Sequence, residues 1–130
     1  MELRDSLLDV GTFDRPRLSR EDGRLVGSCC RDCGATSWPS RALCHRCGSA
    51  SVHETLLGPE GTLVSYTVVW VPRPGIEAPY TIGEVELPER VTVFAHIHGV
   101  ADGASVPLAV RLAVADEGHV PPFHFEVATA

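Results

Sequence analysis

The sequence predicts a mainly β protein in which a short N-terminal helical segment and a small metal-held module precede a five-stranded barrel of the OB type. Three observations support this prediction: a doubled Cys-x-x-Cys motif, five short segments separated by Pro- and Gly-rich turns, and an uneven distribution of charge. We expect a helical segment over residues 1–27, the metal module over residues 28–52 and the barrel over residues 53–130.

The N-terminal segment contains two short stretches with helical character. In residues 1–10 the leucines fall on one side of a helix and the charged residues fall elsewhere. Residues 15–22 form a second candidate helix, which Gly23 would end. A short strand over residues 24–28 then leads into the cysteines.

Four of the five cysteines form the strongest signal in the chain. They follow the pattern C-x2-C-x10-C-x2-C, with Gly after each pair, and they are Cys30, Cys33, Cys44 and Cys47. Glycine tolerates the left-handed backbone that a tight metal-binding turn needs. Four thiolates make a closed tetrahedral site that suits structural Zn²⁺, although iron accepts the same ligands. Two disulfides or four free thiols are the alternatives.

The cellular compartment helps to decide between metal-bound cysteines and disulfides. The chain begins with acidic residues where a signal peptide would be basic, and no apolar stretch reaches the length of a membrane span. We therefore expect a cytoplasmic protein that does not contact a membrane. Its cysteines are then expected to be thiols or metal ligands rather than disulfides.

Three other side chains are candidates for chemistry outside the cysteine pattern. Cys29 could replace Cys30 as a ligand, or act as a nucleophile if a base were positioned beside it. His96 and His98 alternate on a predicted strand and share a face, as a metal-chelating pair would. No third ligand is evident at a useful spacing, so we interpret these histidines as surface residues. We interpret His53, His119 and His124 as isolated.

In the second half of the chain, apolar residues recur at every second position. Turn residues separate five predicted strands, which cover residues 62–71, 80–87, 91–100, 106–115 and 123–128. Five short strands in about 70 residues favour the OB-fold, whereas a sandwich would need about seven.

Charge excludes several functions. The chain has no Lys, so it can form neither a Lys Schiff base nor a P-loop. Its net charge of −6 divides into +1 for residues 1–52 and −7 for residues 53–130. An acidic barrel argues against a nucleic-acid-binding zinc-ribbon/OB module, which is the main alternative function.

Taken in order, these motifs resemble a known family. The elements are a first C-x2-C-G, Trp38-Pro39-Ser40-Arg41, a second C-x2-C-G, Gly61 followed by Ser65-Tyr66-Thr67-Val68-Val69, and a strand over residues 79–87. The order is similar to that of the acyl-CoA-associated OB-fold proteins with a rubredoxin-like zinc ribbon, known as domain-of-unknown-function thirty-five. Ser40 stands where a second Pro is common, and Cys29 is additional; neither removes a metal ligand.

The resemblance implies a non-catalytic accessory subunit with a structural Zn²⁺. Its expected partner is a thiolase-fold, lipid-transfer-protein-like catalytic subunit in a hetero-oligomer, such as an acyltransferase or a retro-aldol lyase of steroid or lipid side-chain degradation. The subunit would stabilise that enzyme and help to hold or channel the CoA thioester. The rival hypothesis is a self-sufficient enzyme that uses Cys29, His96 or His98.

Overall fold

The chain folds into two compact units that divide after Leu57. A computed structural model describes residues 17–128, which contain nine strands and no helix. In this part of the chain, accordingly, no helix is long and apolar enough to cross a membrane. The division falls later than residue 52, because the strand at Val52–Leu57 pairs within the first unit.

The first unit is built around one central strand. Its strands are β1 (Leu18–Ser19), β2 (Arg24–Cys30), β3 (Thr36–Ser37) and β4 (Val52–Leu57). Strand β2 pairs in antiparallel fashion with each of the other three. Leu25 and Leu57 are fully buried in this sheet. Gly27 lets β3 approach closely, since a Cβ atom there would lie 2.4 Å from the Ser37 carbonyl oxygen.

The helix predicted over residues 15–22 is wrong where the structure describes it. Residues 18–25 instead form a hairpin, in which the Gly23 N–H donates to the Ser19 carbonyl at 2.9 Å. The Ser19 hydroxyl also bonds to Asp22 at 2.6 Å, an arrangement that favours a turn over a helix. Pairing with β2 places Leu18 opposite the buried Leu25, and this tertiary contact outweighs the local helical pattern. The helix predicted in residues 1–10 lies outside the described residues.

The second unit is a closed five-stranded barrel. Its strands are β5 (Glu60–Val69), β6 (Tyr80–Glu86), β7 (Thr92–His98), β8 (Leu108–Val114) and β9 (Phe123–Val127). They close in the order β5-β6-β7-β9-β8, and only the β7–β9 pair is parallel. The predicted mainly β architecture and the OB-type barrel are thereby confirmed, with strand ends no more than two residues from the predicted ones.

The barrel core follows the alternation of its strands. On β7, Val93 and Ile97 are buried, whereas Phe94 between them is 70% exposed. Phe125 of β9 is fully buried. Gly83 of β6 allows close packing, because a Cβ atom there would lie 2.6 Å from the Ser65 carbonyl oxygen. The inner face is therefore apolar and tightly filled, and the histidines of β7 lie on the outer face.

Candidate metal centre

Two loops with the same backbone pattern carry the four cysteines. In the first, the N–H of Gly34 donates to the Cys30 carbonyl, and the N–H of Cys30 donates to the Ala35 carbonyl. In the second, Gly48, Cys44 and Ser49 make the corresponding bonds, all between 2.8 and 3.0 Å.

Each turn needs its glycine. Gly34 and Gly48 have φ angles of 79° and 76°, in the left-handed region. No atom outside the adjoining residues lies within 4 Å of a Cβ built at either position, so backbone conformation rather than crowding selects glycine here. The two Cys-x-x-Cys-Gly motifs therefore fold as a matched pair of metal-binding turns.

The loops bring four sulfur atoms together. The Sγ atoms of the four cysteines all lie within 4.8 Å of one another. The Sγ distances are 3.6 Å between Cys30 and Cys47 and 3.5 Å between Cys33 and Cys44. Tetrahedral Zn²⁺ with Zn–S bonds of about 2.3 Å places its sulfurs about 3.8 Å apart. A disulfide would need about 2.05 Å, so the spacing fits one shared metal ion and excludes disulfides.

Backbone donors favour thiolates at this position. The N–H groups of Cys47 and Arg46 point at Cys44 Sγ, at 3.5 and 3.3 Å, and lower the pKa of this thiol to about 6. At Cys47, the N–H of Ser49 lowers the pKa, but the neighbouring Cys30 sulfur and burial raise it to about 12 overall. A negative charge on one sulfur thus makes deprotonation of a neighbouring thiol less favourable. A bound divalent cation removes this conflict by stabilising all the thiolates together.

A contact between side chains also links the two loops. The Ser49 hydroxyl, just after the second cysteine pair, donates to the carboxylate of Asp32 inside the first pair. Cys30 and Cys44 are buried, and the second cysteine of each pair lies nearer the surface. Four cysteine ligands leave no coordination position for water, which suits a structural rather than a catalytic metal.

The other sequence candidates do not belong to the four-cysteine cluster. The Cys29 Sγ atom is outside the cluster, at 3.7 Å from the Gly34 carbonyl oxygen. His96 stacks on Tyr80, with ring centroids 5.0 Å apart. His98 instead stacks on His124, so the expectation of an isolated His124 is wrong.

The sequence reasoning missed the group that His98 and His124 form with Glu126. The His-x-Glu alternation on the last predicted strand was a usable signal, because both side chains share a face. What was missing was the parallel pairing of β7 with β9, which brings His98 beside them.

This fold and this centre define the class of zinc-ribbon OB-fold proteins. Residues 19–53 match the family model described as the ChsH2 rubredoxin-like zinc ribbon domain, and residues 54–115 match the ChsH2 C-terminal OB-fold domain. The chain belongs to the ChsH2/DUF35 family. The predicted family resemblance and the predicted structural Zn²⁺ are both confirmed, since the matched ribbon domain contains the four clustered cysteines.

The relatives of this chain are described either as thiolase subunits or as scaffold proteins. The benzoylsuccinyl-CoA thiolase subunit BbsA of Thauera aromatica is 31% identical over 93 residues, which is 68% of this chain and 65% of that protein. A DUF35 domain-containing scaffold protein of Pyrococcus furiosus is 34% identical over 99 residues, which is 71% of this chain and 72% of the relative. The chain thus spans slightly less than two thirds of the Thauera protein's length.

Two solved structures share the fold. A chain of the structure described as "Ltp2-ChsH2(DUF35) aldolase" is 26% identical, with a TM-score of 0.70, covering 88% of this chain and all of that one. A DUF35-family protein of unknown function from Sulfolobus solfataricus is 14% identical with a TM-score of 0.59, covering 98% of both chains, which supports the fold alone.

Proposed function

We propose that this chain is a zinc-containing, non-catalytic accessory subunit that binds and stabilises a thiolase-fold acyl-CoA enzyme. The observation that carries the proposal is the 26% identity, across 88% of this chain, to a chain of the structure described as "Ltp2-ChsH2(DUF35) aldolase". The thiolase subunit from Thauera and the scaffold protein from Pyrococcus support the same role. A closed four-thiolate centre suits such a structural part.

The barrel also exposes large apolar side chains that a partner could cover. Trp70 and Val71 follow β5 and are 72% and 70% exposed. The turn that comes next lies against a third exposed residue, since a Cβ atom at Gly75 would be 3.6 Å from Cβ of Val120. Large aromatic and aliphatic side chains in such a position are typical anchors of protein interfaces. We propose that Trp70, Val71 and Val120 contact the catalytic subunit.

Co-purification tests this role. The full chain would be co-expressed with a thiolase-fold protein encoded beside its gene, and the complex measured by size-exclusion chromatography with light scattering. We expect a hetero-oligomer that Trp70→Ser weakens and Trp70→Phe retains, because only phenylalanine preserves a large apolar contact. A chain that stays alone with every neighbouring thiolase-fold protein would refute the proposal; equal binding by both variants would refute this surface.

A finer proposal concerns the substrate. We propose that the complex acts as an acyltransferase or retro-aldol lyase on a steroid or lipid side-chain acyl-CoA, and that this chain helps to hold the CoA thioester. Because the chain lacks Lys, a permanently cationic side chain that contacts a CoA phosphate must be arginine, and Arg73 lies three residues after the exposed Trp70. An Arg73→Gln complex should then show a raised KM for the acyl-CoA with kcat retained.

We also propose a cytoplasmic location. Five cysteines without a disulfide suit a reducing compartment. Fractionation of the native host, with an antibody to the chain, should find it with soluble cytoplasmic markers; recovery in the membrane or secreted fraction would contradict this.

A further inference from the structure

A second group of potential metal ligands lies on the outside of the barrel. Strands β7 and β9 run parallel there, with His98 directly opposite Glu126. His124 lies two residues before Glu126 on β9 and therefore shares its face. His98 is distant in sequence from the other two residues and meets them because the barrel closes through this pair of strands.

The distances suit coordination. His124 Nε2 lies 3.0 Å from Glu126 Oε1, and the rings of His98 and His124 stack with centroids 3.7 Å apart and planes 19° apart. One ligand atom from each of the three residues lies within 4.8 Å of the others. Metal–ligand bonds of about 2.0–2.2 Å place neighbouring ligand atoms about 3.0–3.5 Å apart. Because an imidazole nitrogen binds a metal in the plane of its ring, the two stacked rings would tilt toward each other to let all three atoms bind one ion.

Space for further ligands adjoins this group. A cavity of about 360 Å³ has His98, His124, Asp116 and His119 among its lining residues. The His119 Nδ1 atom is 3.0 Å from the Pro121 carbonyl oxygen, which holds this ring at the cavity wall. An ion held by only three protein atoms would keep at least one coordination position open, and the adjoining cavity offers space for a further ligand. That arrangement differs from the closed centre made by the four cysteines.

We propose that His98, His124 and Glu126 form a second metal site, which binds a divalent first-row transition metal with open positions for water or a further ligand. Two imidazoles and one carboxylate match the preferences of Zn²⁺, Co²⁺ and related ions, whereas Mg²⁺ and Ca²⁺ favour sites made entirely of oxygen. The site requires no thiol and no residue of the first unit.

Metal titration of the full chain tests the proposal. Protein purified with one equivalent of zinc in its ribbon would be titrated with Zn²⁺ by calorimetry and with Co²⁺ by absorption. We expect one additional equivalent, whose Co²⁺ spectrum lacks the intense thiolate charge-transfer bands of a cysteine site. His98→Ala and His124→Ala should each weaken this second equivalent by at least about tenfold, while the first equivalent stays bound.

Three variants complete the experiment. Glu126→Gln changes a side chain that is 60% exposed, so it tests the site even if a histidine variant fails to fold. His53→Ala removes an exposed histidine of the first unit and should leave the second equivalent unchanged. His96→Ala distinguishes this site from a His-x-His pair on β7 and should also leave it unchanged.

Two results would overturn the proposal. One is the lack of a second equivalent at metal concentrations up to the millimolar range. The other is a second equivalent that His98→Ala, His124→Ala and Glu126→Gln all bind as tightly as the unaltered chain.

Discussion

At the scale of single residues, spacing identified the metal centre and could not identify the histidine group. The cysteine pairs are local, so a short motif contains both the ligands and the glycine that each turn requires. A parallel strand pairing brings His98 and His124 together. The residues that flank each histidine in the sequence do not indicate this pairing. Sequence reasoning is therefore strongest where the chain folds back on itself within a few residues.

The first prediction separates the ligand cysteines from the additional one. Cys44→Ser should release the ribbon zinc, because it removes a buried thiolate that two backbone N–H groups stabilise. Zinc binding supplies on the order of 10 kcal/mol to such small domains, so the first unit should lose its structure as well. Zinc content and circular dichroism measure both effects.

Cys29→Ser is the matched control, since it makes the same chemical change one residue before Cys30. It should retain a full equivalent of zinc, because the Cys29 sulfur lies outside the four-sulfur cluster. Loss of zinc in Cys29→Ser, or its retention in Cys44→Ser, would mean that the ligand set is different.

At the scale of elements, long strands with clear alternation were predictable and short pieces were not. The five barrel strands are predictable because apolar residues recur at every second position between strong turn residues. Strands β1 and β3 have two residues each, too few to show a period, and they exist because β2 offers them a partner. The helix predicted at residues 15–22 is wrong for the same reason, because pairing with β2 determines the backbone conformation there.

The second prediction compares the same substitution, phenylalanine to alanine, on the inner and the outer face of the barrel strands. Phe125→Ala should cost about 3–5 kcal/mol of the free energy of unfolding, because this fully buried ring leaves a cavity. Phe94→Ala on β7 should change it by less than about 0.5 kcal/mol, because that ring is 70% exposed. Denaturant unfolding followed by circular dichroism compares them. Similar costs for the two variants would contradict the assignment of faces.

At the scale of the whole molecule, each unit has its own source of stability. The first unit has a small core around Leu25 and Leu57 together with the metal centre. The barrel has a larger apolar core that includes Leu63, Val85 and Phe125, and its five strands pair around a closed circuit. The composition shift in the sequence indicated two modules, but it could not show that β4 belongs to the first sheet, because that depends on pairing with β2.

The third prediction follows from this difference. Removal of zinc by a strong chelator should unfold the first unit through Leu57 and leave the barrel folded, because only the first unit depends on a metal for its core. In two-dimensional amide NMR spectra of the full chain, signals from residues 17–57 should collapse, while those from residues 58–128 remain dispersed. Addition of zinc should restore the lost signals, and Phe125→Ala should produce the opposite pattern by weakening the barrel first. Simultaneous loss of all the signals on chelation would show instead that the two units fold as one cooperative structure, in which the metal stabilises the barrel as much as the ribbon.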